Sequence, residues 1–250
     1  MSSLQRITLY ADAAVESPFP HRVRLALEEA QVPYDVILIS LGADKPEWYA
    51  QKVYPEAKVP YLVYGGPKLN PGDAPSADTL QIPESLVILE FLADLLPSAK
   101  LLPADPALRV KARLFAQAVE PKLRPAFMAF FLQGAPQETL LEPLDSLQRM
   151  LPPEGYAVGE WSIADAAFTP FLMRINAMLK IKPPTVQEGY LEQVTEALHS
   201  PRFERLQKYV SENIARSSMA KTWDEPAVLK LFKARFENMA KTKQTPDPHA

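Results

Sequence analysis

The sequence predicts a small α/β domain of order βαβ-ββα over residues 1–99, followed by an all-helical domain over residues 100–240 and a flexible tail over 241–250. Three observations carry this prediction. Alternating apolar segments interleave with helical ones before Pro97 and nearly disappear after it, Leu101 to Pro106 forms a proline-bounded linker, and helical patterns run through the rest of the chain.

In chain order, Arg6 to Ala11 alternates Ile7, Leu9 and Ala11 with Thr8 and Tyr10, a strand signal ahead of a loop over Asp12 to Pro20. His21 to Ala30 carries an apolar helical stripe of Val23, Leu25, Ala26, Leu27 and Ala30, and Pro18 and Pro20 suit its opening turn. Val32 to Ile39 alternates again, so the first three elements favour a parallel strand pair joined by a right-handed crossover. Lys45 to Gln51 reads as a short helix started by Pro46, and Pro60 to Tyr64 as a third strand. Gly65 to Ala77, rich in Gly, Pro, Asp and Ser, is expected to be an exposed loop before a short strand at Leu80 to Ile82. Glu84 to Leu95 spaces Leu86, Ile88, Leu89, Leu92 and Leu95 as a helix. Beyond the linker, helices are expected over Ala107 to Gln133, Gln137 to Met150, Ile163 to Leu179, Leu191 to His199, Pro201 to Ser211 and Pro226 to Ala240.

Composition limits the function classes. With 250 residues, 47% hydrophobic and 23% charged, the chain is that of an ordinary globular protein with enough length for two cores. A formal charge of -3 with mixed signs offers no footprint for nucleic acid. The start lacks the basic and apolar regions of a secretory signal, and no apolar run reaches the roughly 20 residues that span a bilayer, so no membrane partner and a cytoplasmic location are expected. The chain has no cysteine, which excludes thiolate metal sites and any mechanism using the protein's own thiol. Three histidines, one of them His249 in the polar tail, argue against a metal cluster, and no metal is expected.

Four short motifs follow one another at spacings suited to the predicted elements: Ser17-Pro18-Phe19 after the first strand, Lys45-Pro46-Glu47-Trp48 after the second, Val59-Pro60 before the third, and Glu84-Ser85 opening the next helix. Together with Gly159-Glu160-Trp161-Ser162-Ile163-Ala164-Asp165, they make the chain resemble glutathione transferases over almost its whole length, most nearly the omega class and its fungal relatives. The resemblance implies a thioredoxin-like N-terminal domain that binds glutathione as co-substrate, an apolar cleft beside it for a hydrophobic or aromatic molecule, and a two-fold homodimer. Serine at position 17 departs from the cysteine many omega relatives carry.

Read from the residues alone, Ser17 before a proline-started helix is a natural N-cap. In the family context a glutathione sulfur placed there would face the positive helix end, which favours the thiolate by about 0.3 to 1 kcal/mol, and a hydroxyl hydrogen bond to that charge would add about 1.5 to 3 kcal/mol. Cysteine-bearing relatives form a mixed disulfide with glutathione; this chain has no thiol with which to do so. The expected activity is therefore conjugation of glutathione to electrophiles, with a ligand carrier (ligandin) of little turnover as the alternative and a structural module of the kind attached to translation factors as a third reading.

The resemblance also implies a cis bond at Val59-Pro60 that turns the Val59 backbone toward glutathione, against the alternative of an edge-strand proline with no ligand. It gives Glu84 the γ-glutamyl ammonium, Ser85 the γ-glutamyl carboxylate, and Lys45 the glycyl carboxylate, with Lys58 a nearby competitor. Pro83 departs from the family's usual aromatic or polar residue there and stiffens the turn. Ser162 and Asp165 have capping-box spacing and are read as structural. Of Phe127, Met128, Phe130, Phe131, Phe168, Phe171, Met173 and Met178, most are expected in the core and some in the cleft. Trp223 is expected to pack the last helix to the body.

Overall fold

The computed structural model describes residues 4–13 and 16–244. Its first domain is a four-stranded sheet of order β2-β1-β3-β4, formed by β1 (Ile7–Asp12), β2 (Asp35–Ile39), β3 (Tyr61–Tyr64) and β4 (Leu80–Pro83). β1 pairs parallel with β2 and antiparallel with β3, and β3 pairs antiparallel with β4. All six β1 residues are buried because helices cover one face and the segment around Tyr49 the other, and the period-2 alternation divides them. Ile7, Leu9 and Ala11 join the main core with Leu62 and Ile82, whereas Tyr10 joins a second cluster with Ile37, Ile39, Tyr49 and Val63.

Helix α1 (Pro18–Ala30) opens three residues before the expected His21, because prolines at the first and third helical positions occupy sites whose N–H groups would lack an intrahelical partner anyway. β2 is shorter than expected at its start, and α2 (Glu47–Lys52) follows a turn of 3₁₀ helix at Gly42–Asp44. The segment after β3 is not wholly exposed as expected. Leu69 is buried against the Tyr10 cluster, and Lys52 Nζ donates to the Gly72 carbonyl at 3.2 Å, so one apolar anchor and one hydrogen bond fold this loop onto the outer sheet face.

The linker between α3 (Ser85–Leu95) and α4 (Pro106–Gln133) is likewise partly core: Leu101 and Leu102 are buried, and the Leu101 carbonyl accepts from Ile163 N–H at 2.9 Å. The second domain continues with α5 (Glu138–Gln148), α6 (Ile163–Ile181), α7 (Tyr190–Leu198), α8 (Glu204–Ile214), α9 (Ser217–Thr222) and α10 (Glu225–Gln244). Pro201–Phe203 is a separate 3₁₀ turn, which moves α8 three residues beyond its expected start, and α9 is too short to show helical periodicity in the sequence. α10 runs four residues into the expected tail; residues 245–250, with His249, lie outside the described residues.

α6 is buried over most of its length and packs against α1, so it joins the two domains. The capping box at its start is present: Ala164 N–H donates to Ser162 Oγ at 3.3 Å and Ser162 N–H to Asp165 Oδ2 at 2.9 Å. Asp165 Oδ1 also accepts from Ala157 N–H and Tyr209 O–H, each at 2.8 Å. These donors consume the carboxylate's capacity inside the fold and give Asp165 a structural role. Trp223 stacks on His21 with centroids 5.7 Å apart and lies under the Arg174 guanidinium at 5.0 Å, the packing role expected for it.

Candidate active site

At the edge of the first domain the structure brings together all seven residues singled out in the sequence. Ser17, Lys45, Lys58, Val59, Pro60, Glu84 and Ser85 line one cleft of about 460 Å³, with Tyr54, Glu120 and Arg124 among its other walls. Four loop-to-element transitions supply them: the start of α1, the turn before α2, the segment before β3, and the β4–α3 junction.

Ser17 is the N-cap of α1. Its Oγ accepts from Phe19 N–H at 3.3 Å while its own N–H donates to Asp12 Oδ2 at 2.9 Å. Accepting that bond leaves the hydroxyl hydrogen free to be donated into the cleft. Cap and polarising donor are thus compatible roles of one side chain. Burial raises the Asp12 carboxyl above its ordinary range, opposed by the Ser17 N–H bond and by Arg174.

Behind this turn, Arg174 donates from Nε to the Glu16 carbonyl at 3.1 Å, from Nη2 to the Ser17 carbonyl at 2.8 Å and from Nη1 to the Pro170 carbonyl at 2.9 Å. Nη1 also lies 2.7 Å from His21 Nδ1. A guanidinium can only donate, so Nδ1 is the acceptor and the imidazole proton sits on Nε2, 3.0 Å from Thr222 Oγ1. Burial, with the charges of Arg174 and Arg24, lowers the His21 pKa well below its usual value and keeps the ring neutral. Burial also pulls Arg174 down to about 9, countered by Asp12 and Glu16, which still leaves it charged at neutral pH.

At the β4–α3 junction, Glu84 has φ 66° and ψ 113°, an uncommon conformation for a residue with a side chain. It is the N-cap of α3 with no side-chain cap bond, so its carboxylate is not consumed by the helix. The Oγ of the adjacent Ser85 accepts from Arg22 Nη1 at 3.0 Å. That bond turns the Ser85 hydroxyl into a donor toward the cleft, beside the first N–H groups of the helix, an arrangement suited to a carboxylate.

On the opposite wall the Val59–Pro60 peptide bond is cis. Lys45 Nζ donates to the Ala57 carbonyl at 2.8 Å, which holds the ammonium at the cleft. Lys58 Nζ pairs instead with Glu56 at 2.6 Å and is exposed, while its backbone carbonyl accepts from the buried Tyr49 hydroxyl at 2.7 Å. The Lys58 backbone is fixed and its side chain engaged elsewhere, which distinguishes the two lysines.

A second, apolar pocket of about 180 Å³ adjoins the cleft and shares Phe19 and Arg124 with it. Phe127, Met128, Phe171 and Met178 line it, whereas Phe130, Phe131, Phe168 and Met173 are buried in the core. α10 contributes Phe232 and Phe236, which sequence periodicity did not single out.

Sequence reasoning also missed Arg22, Arg174, Glu120 and Arg124. Arg22 is fully buried, with its guanidinium 5.1 Å from the Phe19 ring and 5.2 Å from that of Phe171, and burial lowers its pKa to about 10. A signal existed for two of them. Arg22 is four residues before Ala26 and Arg174 four before Met178, so each charge falls on the buried stripe of its helix, where a lone guanidinium needs a specific use. Among the described residues no cluster of metal-ligating side chains is present, and no helix is long and apolar enough to cross a membrane.

Known proteins resemble this chain in sequence and fold. Residues 16–95 match the family described as glutathione S-transferase, N-terminal domain. The structure is similar to glutathione transferase Omega 1C from Trametes versicolor, with 42% identity, a TM-score of 0.87, and coverage of 93% of this chain and 97% of that one. It is similar also to Omega 2S from the same organism in complex with 2,4-dihydroxybenzophenone, with 42% identity, a TM-score of 0.85, and coverage of 92% and 98%. Pyrimidodiazepine synthase of Drosophila melanogaster is 32% identical over 174 residues, 66% of this chain and 63% of that protein, so the match spans less than two thirds of that relative. With identity of this order over nearly the full length of two omega-class structures, the chain belongs to the glutathione transferase family.

Proposed function

We propose that glutathione binds along the polar cleft, with its γ-glutamyl ammonium and carboxylate at Glu84 and Ser85, its cysteinyl backbone against Val59 and Pro60, its glycyl carboxylate at Lys45, with Lys58 the alternative, and its sulfur at Ser17. The Ser17 hydroxyl donates a hydrogen bond to the sulfur and, with the N-terminus of α1, favours the thiolate. The thiol proton passes to solvent. The thiolate then attacks a hydrophobic or aromatic electrophile in the apolar pocket: a carbon–sulfur bond forms, and the displaced electron pair leaves with the leaving group or enters the conjugated system of the acceptor. The protein works in the cytoplasm as a homodimer, without metal.

The observation that carries this reading is the junction of the two cavities at Phe19, two residues from Ser17, which sets a polar peptide site beside an apolar acceptor site. A carrier role with little turnover is the second reading, favoured by the aromatic lining and by the dihydroxybenzophenone bound to the Trametes Omega 2S relative. Calorimetric titration with glutathione, followed by a panel of electrophiles and aromatic ligands on the same sample, separates the two. Conjugates accumulating with turnover support the transferase. Aromatic binding without conjugation supports the carrier, and no heat with glutathione rejects both.

A further inference from the structure

The polar side chains lining the apolar pocket are unequal in sign: Arg124, Arg174 and Arg235 stand against the single carboxylate of Glu16. Two of these guanidiniums are engaged. Arg235 pairs with Glu16, and Arg174 donates to the carbonyls of Glu16, Ser17 and Pro170. Arg124 differs. Its side chain is 67% exposed, it lines both the pocket and the polar cleft, and the carboxylate oxygen paired with it is Glu120 Oε1 at 3.7 Å. That separation exceeds the roughly 2.7 to 2.9 Å of a charge-assisted hydrogen bond. Glu120 is shared as well, since its Oε2 lies 3.7 Å from Arg22 Nη1. One carboxylate thus serves two guanidiniums loosely, and the Arg124 fork retains donors at the seam where acceptor and glutathione would meet.

We propose that the acceptor held in this pocket is an aromatic compound bearing an anionic substituent, a carboxylate or phenolate, with that group against Arg124 and its ring among Phe127, Phe171 and Phe232. The proposal rests on the assignment of this pocket as the acceptor site. The aromatic and aliphatic side chains of the pocket bury the ring, and the planar fork of Arg124 matches a carboxylate while those of Arg174 and Arg235 are engaged by Glu16 and backbone carbonyls. In the transfer step the anionic substituent takes no part: sulfur bonds to the electrophilic carbon, the leaving group departs with its electron pair, and the substituent stays on the ring. Arg124 therefore holds ground state and transition state alike, and its removal raises KM for the acid while leaving kcat for the acid in place.

Para-nitrobenzoate and its methyl ester, which lack a leaving group, test this by binding alone. Titrated calorimetrically into the full chain saturated with glutathione, the acid binds about ten-fold tighter than the ester. In Arg124→Gln the two bind within about two-fold of each other, and Arg124→Lys, which keeps the charge and loses the fork, is intermediate. An ester that binds the wild type as tightly as the acid, or an acid preference that survives in Arg124→Gln, overturns the proposal. So does a loss of glutathione affinity in Arg124→Gln with the acid-to-ester ratio unchanged, since Arg124 would then serve the peptide site. Failure of the transferase reading shows separately, as absence of a conjugate with chlorodinitrobenzoate when para-nitrobenzoate still binds.

Discussion

Arg174 of the helical domain donates from Nη2 to the backbone carbonyl of Ser17 at 2.8 Å, so the turn that carries the proposed sulfur-polarising hydroxyl is held from the other domain. Its partners in this clamp are carbonyls that would otherwise be buried with fewer donors, each loss costing about 1 to 3 kcal/mol. Arg174→Met is therefore expected to lower the melting temperature and to cut turnover by roughly ten-fold or more through misplacement of Ser17. Glutathione affinity stays within about three-fold, because the peptide anchors lie elsewhere. Arg174→Lys retains the charge and recovers only part of the rate. Equal losses in kcat and glutathione affinity would show that Arg174 supports the whole fold and has no particular hold on Ser17.

The γ-glutamyl end provides a separate test. Removing the Glu84 carboxylate or the Ser85 hydroxyl leaves a bound charge poorly matched, so Glu84→Ala and Ser85→Ala each weaken glutathione by about 1 to 3 kcal/mol in calorimetry. Unchanged affinity in both variants would place the γ-glutamyl end elsewhere.

His21 makes stability depend on pH. Its folded pKa lies well below the ordinary value near 6.5, first through burial and then through Arg174 and Arg24, so the unfolded chain binds the proton more readily. The contribution is complete above about pH 6.5 and declines as pH falls below it. Between pH 7.5 and 5.5 the wild type is expected to lose about 1 kcal/mol relative to His21→Gln in parallel denaturant titrations. Parallel curves for the two proteins would show that the ring takes up its proton in the fold as readily as in the unfolded chain.

Much of this architecture is legible in the sequence, and the departures have local causes. The alternation in Ile7, Leu9 and Ala11 and the proline-opened α1 are strong signals because each follows from backbone geometry. Cleft residues were accessible through four motifs at element ends. Arg174 and Arg22 showed only as charges on buried helix stripes, since their use depends on the packing of α6 against α1, a contact across more than a hundred residues. Leu69 and Leu101 were obscured for a related reason: each is an apolar residue in a polar, proline-rich stretch whose burial is decided by the surface it meets.

A homodimer is expected through an exposed apolar face. Val87 of α3 and Val110 and Leu114 of α4 are 55%, 54% and 62% exposed, and the Arg113–Glu90 and Arg109–Asp94 ion pairs bring these two helices side by side there. Exposed apolar side chains grouped on two neighbouring helices suit a two-fold contact with a second copy of the chain. Sedimentation at micromolar concentration should give twice 27.9 kDa, and Leu114→Glu should shift the species to the monomer. A wild-type monomer would reject the dimer.

Substitution Ser17→Cys should convert the chemistry. The chain has no thiol of its own, so oxidised glutathione leaves the wild type unmodified in mass spectrometry. A cysteine at the α1 N-cap has a depressed pKa and should take one glutathione adduct, with conjugating activity falling as thiol transfer appears. An inert mutant thiol would mean that position 17 does not face the bound peptide.

The most direct test of the central claim, that Ser17 polarises the bound sulfur, is the ultraviolet thiolate titration of glutathione on the wild type and on Ser17→Ala. A lost hydroxyl donor to a charged acceptor corresponds to about 1.5 to 3 kcal/mol, or roughly one to two pKa units. The thiol pKa of bound glutathione should therefore rise by that amount in Ser17→Ala, while calorimetry shows glutathione still bound. The same thiol pKa in both proteins would contradict the claim and leave Ser17 as the cap of α1 alone.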